Sequence, residues 1–132
     1  AGHVRGMAVY KDHFYYTDYY EGTMNRIKIG ADEDIDNPEI LVEGLTEPQY
    51  MDISEDGYAI WSESDGVSLK FVDVTSDPSS WPLTPRTLVD ELTGFIDDVR
   101  ANNGHVLWSD KLGFVYSGVV PYLAENEGTK FD

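Results

Sequence analysis

An all-β fold of three repeated four-stranded units is what this 132-residue sequence predicts, and three observations predict it. A signature recurs in "HFYYTDYYEG" from His13, "YAIWSESDG" from Tyr58 and "HVLWSDKLG" from His105. Each sets an aromatic (Tyr16, Trp61, Trp108), a hydroxyl residue (Thr17, Ser62, Ser109) and an acid (Asp18, Glu63, Asp110) in succession. The aromatics stand 45 and 47 residues apart, so three periods nearly fill the chain. Alternating apolar runs broken by turn residues flank each signature, with little helical periodicity.

The elements follow in order. "GMAVYKD", "YMDISEDG" and "IDDVRANNG" supply a first strand that ends in a polar turn. The signature is the second strand. "NRIKIG", "SLKFVDV" and "FVYSGVV" make the third, and "ILVEGLT" and "TLVDELT" the fourth. The last unit runs out in "GTKFD", where its outer strand belongs. Repeated four-stranded units of this length are β-propeller blades. They divide a single domain at approximately 1–44, 45–91 and 92–132. Joined head to tail, "TKFD" and "AGHVRGMAV" parallel "TLVDELTGFIDDV", which makes the chain a whole number of repeats. A closed propeller needs about four to eight blades, so three leave two edges open. Open edges are templates for pairing, and a homodimer would close a six-bladed ring with twofold symmetry.

Composition narrows the function. Acidic residues number 25 against 9 basic, a formal charge of -16 that repels phosphate backbones and anionic lipid. Nucleic acid is therefore not an expected partner, and no apolar run reaches the roughly 20 residues a membrane helix needs. With no cysteine there is neither a disulfide nor a thiolate metal site. A start at Ala1-Gly2 reads as a mature secreted chain after signal removal.

"YYTD" at Tyr15–Asp18, with "VRGMAV" before it and "NRIKI" after, resembles the YWTD repeat of low-density-lipoprotein-receptor-type six-bladed propellers. "LTEPQYMDI" is similar to the start of that family's inner strand, while "IWSES" and "LWSDK" depart from the motif. The resemblance implies that Tyr16, Trp61 and Trp108 pack between blades and that Asp18, Glu63 and Asp110 bond backbone and neighbouring strands. It implies a fold, and folds of this kind host receptors, lectins and enzymes alike.

Candidate sites lie on the two loop faces. One face gathers the loops after the signature acids, where Tyr19, Tyr20 and Glu21, then Asp65, then Lys111 fall. An exposed ring beside carboxylates suits a sugar, whose CH groups stack while acids accept hydroxyl protons. The other face carries Trp81 in "SDPSSWPLTPR" and Tyr122 in "VVPYLAENEG", aromatics pinned by proline as contact anchors or as local packing. Asp32, Asp34 and Asp36 alternate ahead of Glu43, a partial calcium-loop pattern that lacks the sixth-position glycine. Asp52, Asp97 and Asp98 fall on inner strands and are the metal candidates, as in lactonase-type propellers, with Arg100 an alternative partner for Asp98. No Ser-His-acid order stands out.

The sequence reading is thus a secreted, non-enzymatic binding protein without a resident cofactor, foremost a multivalent lectin for a glycan or glycoprotein. Near-identical blades would repeat one site and gain avidity. A receptor-type protein-recognition propeller and a metal-dependent lactonase or esterase are the alternatives.

Overall fold

The computed structural model describes residues 3–30, 36–63, 68–89, 96–102, 104–119 and 129–131. The chain forms three antiparallel four-stranded sheets. The first holds β1 (Val4–Tyr10), β2 (His13–Asp18), β3 (Thr23–Lys28) and β4 (Glu39–Val42). The second holds β5 (Pro48–Ile53), β6 (Tyr58–Glu63), β7 (Ser68–Asp73) and β8 (Arg86–Val89). The third holds β9 (Ile96–Asn102), β10 (His105–Asp110), β11 (Val115–Val119) and the short β12 (Thr129–Phe131). Among the described residues no helix is long and apolar enough to cross a membrane, a statement that leaves β-barrels aside.

Each sheet is a meander, so neighbours in sequence pair in space and each unit folds from local hairpins. The registers repeat as well: Met7 pairs with Tyr16, Met51 with Trp61, and Val99 with Trp108. All three inner strands carry a register shift two to three residues before that pair, at Val4/Met7, at Pro48/Met51 and in the pairing of β9 with β10. This conserved irregularity makes residues of the three blades comparable one by one.

The sheets stack face to face through two apolar clusters. Blade one contributes Tyr15, Met24, Leu41 and Val42 to the first, against Met51, Ile53, Ala59, Trp61 and Val72 of blade two. Blade two contributes Ile60, Leu69, Phe71 and Leu88 to the second, against Ile96, Val99, Val106 and Trp108 of blade three. Alternation along each strand sends one set of side chains to each side of the sheet, which is why the central blade is buried on both.

Polar contacts tie the blades at both levels. The Thr17 hydroxyl accepts the Gly6 N–H at 2.9 Å and donates to the Gln49 carbonyl of β5 at 2.7 Å. The Asp52 carboxylate accepts the Ala101 N–H of β9 at 2.8 Å, joining blades two and three. On the outer rim the Leu83 N–H donates to the Leu41 carbonyl at 2.7 Å.

The expected packing of the signature aromatics needs one correction. Trp61 and Trp108 are buried between blades, but Tyr16, their counterpart, is only partly buried, and its neighbour Tyr15 fills the blade interface instead. The cause is position: in blade one the third residue of the signature strand faces blade two, and the fourth faces the opposite side of the sheet.

Candidate functional site

The face that gathers the loops after the signature acids is held by those acids. Asp18 accepts the Glu21 N–H at 3.0 Å, bending the chain sharply after β2. Gly22 then turns with φ of 69°, and a Cβ there would lie 2.4 Å from the Leu45 carbonyl oxygen. The absent side chain lets the Leu45 N–H donate to the Gly22 carbonyl at 2.9 Å, fastening this turn to the link between blades one and two. In blade three Asp110 accepts from the Leu112 and Phe114 N–H groups at 2.9 and 3.1 Å and from the Tyr116 hydroxyl at 3.0 Å. Glu63 behaves differently. Its longer side chain folds back to accept the Trp61 indole N–H at 3.3 Å and to pair with Lys70 at 3.1 Å. Trp108, whose neighbour Asp110 is committed to its turn, keeps a buried indole N–H without a partner.

Burial by itself would raise the Asp110 carboxyl pKa, but the donors from Phe114, Tyr116, Leu112 and Gly113 outweigh it and hold the group below its usual value. A lowered folded-state pKa means the contribution is present above the ordinary carboxylate range and is lost as pH falls through the folded value. Asp110→Asn should therefore flatten the acid limb of a stability-against-pH curve, read by thermal melts from pH 7 downward. An unchanged limb would show that the turn donors do not favour the ionised form.

On this framework blade one builds an aromatic cluster. The Tyr19 N–H donates to the His3 carbonyl at 2.8 Å, and the Arg5 guanidinium sits 4.6 Å from the centre of the Tyr19 ring. Tyr20 packs edge-on against both Tyr19 and His3, at centroid distances of 5.2 and 4.6 Å. Its own surface stays 68% exposed, and Glu21 next to it is exposed too. A ring fixed by two neighbours yet open to solvent is preorganised to make a contact at little entropic cost.

The matching slot in blade three holds other chemistry. Arg5 corresponds in register to Asp97, and Tyr19 to Lys111; there Lys111 and Asp97 form an exposed ion pair at 3.6 Å. Blades one and three thus present a cation over a ring and a salt bridge at the same place. This corrects the expectation of one site repeated in each blade. Asp65, from the corresponding loop of blade two, lies outside the described residues.

On the opposite face Trp81 is partly buried. Arg26 of β3 lies 4.5 Å from its ring centre, its indole N–H donates to the Ser76 hydroxyl at 3.4 Å, and it packs on the cluster between blades one and two. Arg26 in turn pairs with Glu39 at 3.1 Å and donates to the Tyr15 hydroxyl at 3.2 Å. Trp81 is the clasp by which a blade-two loop grips blade one. Tyr122 lies outside the described residues.

The inner-strand carboxylates do not converge. Asp52 is bonded to the Ala101 amide, Asp97 to Lys111, and Asp98 to its own Val99 amide and to Arg100 at 3.1 Å. Among the described residues no group of three or more histidine, aspartate or glutamate side chains is placed to hold a metal ion. Of the alternating loop acids, Asp32 and Asp34 lie outside the described residues, and Asp36 and Glu43 are exposed. Sequence reasoning puts the opening segment 1–5 on this face too; the contacts that Arg5 and His3 make with Tyr19 and Tyr20 are what it missed, since they follow from the pairing of Val4 with Asp18.

No family model matches this sequence, and no curated protein does. Solved structures do. A chain of a nidogen/laminin complex matches with a TM-score of 0.70 at 14% identity, over 97% of this chain and 46% of that one. The computationally designed Ika8 protein gives 0.59 at 15% identity, over 89% of this chain and 33% of its own. The structure of Kap60 bound to yeast RCC1 (Prp20) gives 0.57 at 19% identity, over 88% and 29%. The chain thus spans less than half the length of each of these. At such identities the likeness is one of fold: the chain is built as blades of a β-propeller.

Proposed function

We propose that this chain is a secreted, non-enzymatic recognition module of the receptor type, akin to YWTD propellers, whose loop face docks a basic protein surface. The observation that carries the reading is the aromatic and arginine cluster of blade one, with Tyr20 exposed and braced. Tyrosine and arginine are the residues that dominate protein interfaces when they sit in a rigid patch. A formal charge of -16 on the chain as a whole would draw a cationic partner toward it. Two of the matching structures are, by their own descriptions, protein complexes, nidogen with laminin and RCC1 with Kap60. The unlike slots of blades one and three favour one asymmetric protein surface over a repeated sugar site. In this reading a second copy of the chain supplies the blades that complete a six-bladed ring.

The test is fluorescence anisotropy with a lysine- and arginine-rich peptide and its acidic counterpart, alongside a glycan array. The basic peptide should bind, more weakly as salt rises, and Tyr20→Ala should weaken it about tenfold, or about 1.4 kcal/mol. Binding to one terminal glycan, insensitive to salt, with no preference between the peptides would replace this reading with the lectin one.

A further inference from the structure

The loops after the signature acid are four residues long in both blade one and blade three, 19–22 and 111–114, so their positions correspond one to one. The second position of each is a large apolar side chain standing in water: Tyr20 is 68% exposed and Leu112 65%. Both turns are braced by the acid before them. The Gly22 N–H donates to the Asp18 carbonyl at 3.0 Å and the Gly113 N–H to the Asp110 carbonyl at 3.1 Å. Each carboxylate takes a further turn N–H, from Glu21 and from Leu112. Tyr20 has a blade after its own, and Leu112 a blade before its own. The position stays open with a neighbour on either side, whereas Trp61 and Trp108 are buried by the blade that precedes them. Single exposed apolar residues are ordinary, but two at one repeat position on one face form a pattern. Charge lies beside them. Glu43 and Glu47 flank Leu45, which is fastened to the Gly22 turn. With Glu21 they are exposed and form no ion pair among the described residues. The cations of this face are engaged, Arg5 over the Tyr19 ring and Lys111 with Asp97.

We infer that Tyr20 and Leu112 are paired anchors for one extended, basic segment of a partner protein. Two apolar side chains of that segment, about six residues apart, each reach one anchor, while its lysines or arginines meet Glu21, Glu43 and Glu47. The pairing rests on the recognition reading and adds to it the form of the partner. Packed sheets lie about 10 Å apart, so anchors two sheets apart stand about 20 Å apart, a span that about six residues of extended chain cover at about 3.3 Å each. An even separation also sends both side chains to the same side of the strand. A segment dense in like charge repels itself and stays extended, which suits this span. Neither anchor is a deep pocket, and each contact alone is weak. Joined in one segment, the first contact holds the second close to its site, and the braced turns lose little freedom on contact.

Fluorescence anisotropy of the whole chain with two labelled lysine-rich peptides of identical composition tests this. One peptide carries two leucines six residues apart, and the other carries them adjacent. The spaced peptide should bind about tenfold more tightly. Tyr20→Ala and Leu112→Ala should each erase that preference while the far-ultraviolet circular dichroism stays that of the parent. Both side chains are already in water, so folding tolerates their loss, and either variant suffices if the other expresses poorly. Ile29→Ala removes an apolar side chain that is 44% exposed at the opposite end of blade one, and it should leave the preference intact. Equal binding of the two peptides, or a preference that survives both anchor variants, overturns the paired anchors and leaves the recognition reading standing. Failure of both peptides to bind at low salt overturns the recognition reading and the paired anchors together.

Discussion

Replacing Trp61 with alanine should cost about 3–5 kcal/mol, enough to bring a domain of ordinary stability, about 5–15 kcal/mol, close to unfolding. Trp61 has no exposed surface and sits at the centre of the cluster joining blades one and two, between Tyr15, Met24 and Met51. Alanine would leave a cavity there that the sheets cannot close, because their strands are held in register by ladder bonds. It would also strip Glu63 of the indole donor at 3.3 Å, leaving a carboxylate whose side chain is 1% exposed with Lys70 as its remaining partner. An unsatisfied buried acceptor adds to the loss. Trp108→Phe is the contrast. Its indole N–H is buried without a partner, so phenylalanine gives up volume but removes an unmet donor, and the change should stay near about 1 kcal/mol. Urea titrations followed by fluorescence decide both. Trp61→Phe, which gives up the same volume as Trp108→Phe but also the bond to Glu63, isolates that bond: equal losses for these two phenylalanine variants would show that it contributes nothing.

Gly6→Ala is the second large effect, and it acts through backbone. A Cβ at Gly6 would lie 2.3 Å from the Gln49 carbonyl oxygen and 2.8 Å from the Met51 nitrogen. Neither atom is the free end of a side chain; both belong to β5, and the carbonyl already accepts the Thr17 hydroxyl. The two inner strands must separate, which carries an overpacking cost of about 1–3 kcal/mol and the loss of the Thr17 bridge. Amide hydrogen exchange should quicken along β1 and β5 and stay near parental rates in β9 and β10. Exchange that rises uniformly across all three blades would place the effect on global unfolding instead.

These two positions also mark how far the sequence carries. The repeat of aromatic, hydroxyl and acid is visible because a four-stranded meander needs the same turn and core chemistry in every blade, and Trp61 belongs to that pattern. Gly6 does not. Its counterparts are Tyr50 and Asp98, so nothing in the repeat announces that blade one brings two backbones together there. The same holds for the face cluster. Tyr19 and Tyr20 were legible as paired aromatics on a turn with the opening segment on the same face, but that the Arg5 guanidinium seats over the Tyr19 ring follows only from the register of β1 on β2. Asp52 read as one of three channel carboxylates, while its partner is a backbone amide 49 residues away.

By itself the sequence determined the number of units, their four strands, their turn acids and the strongly acidic surface, because these follow from periodicity and composition that each unit carries locally. Tertiary structure alone decided which side of each blade is covered. Tyr15 and Tyr16 stand side by side in one strand, and their fates differ because alternation points Tyr15 toward blade two and Tyr16 to the other side of the sheet.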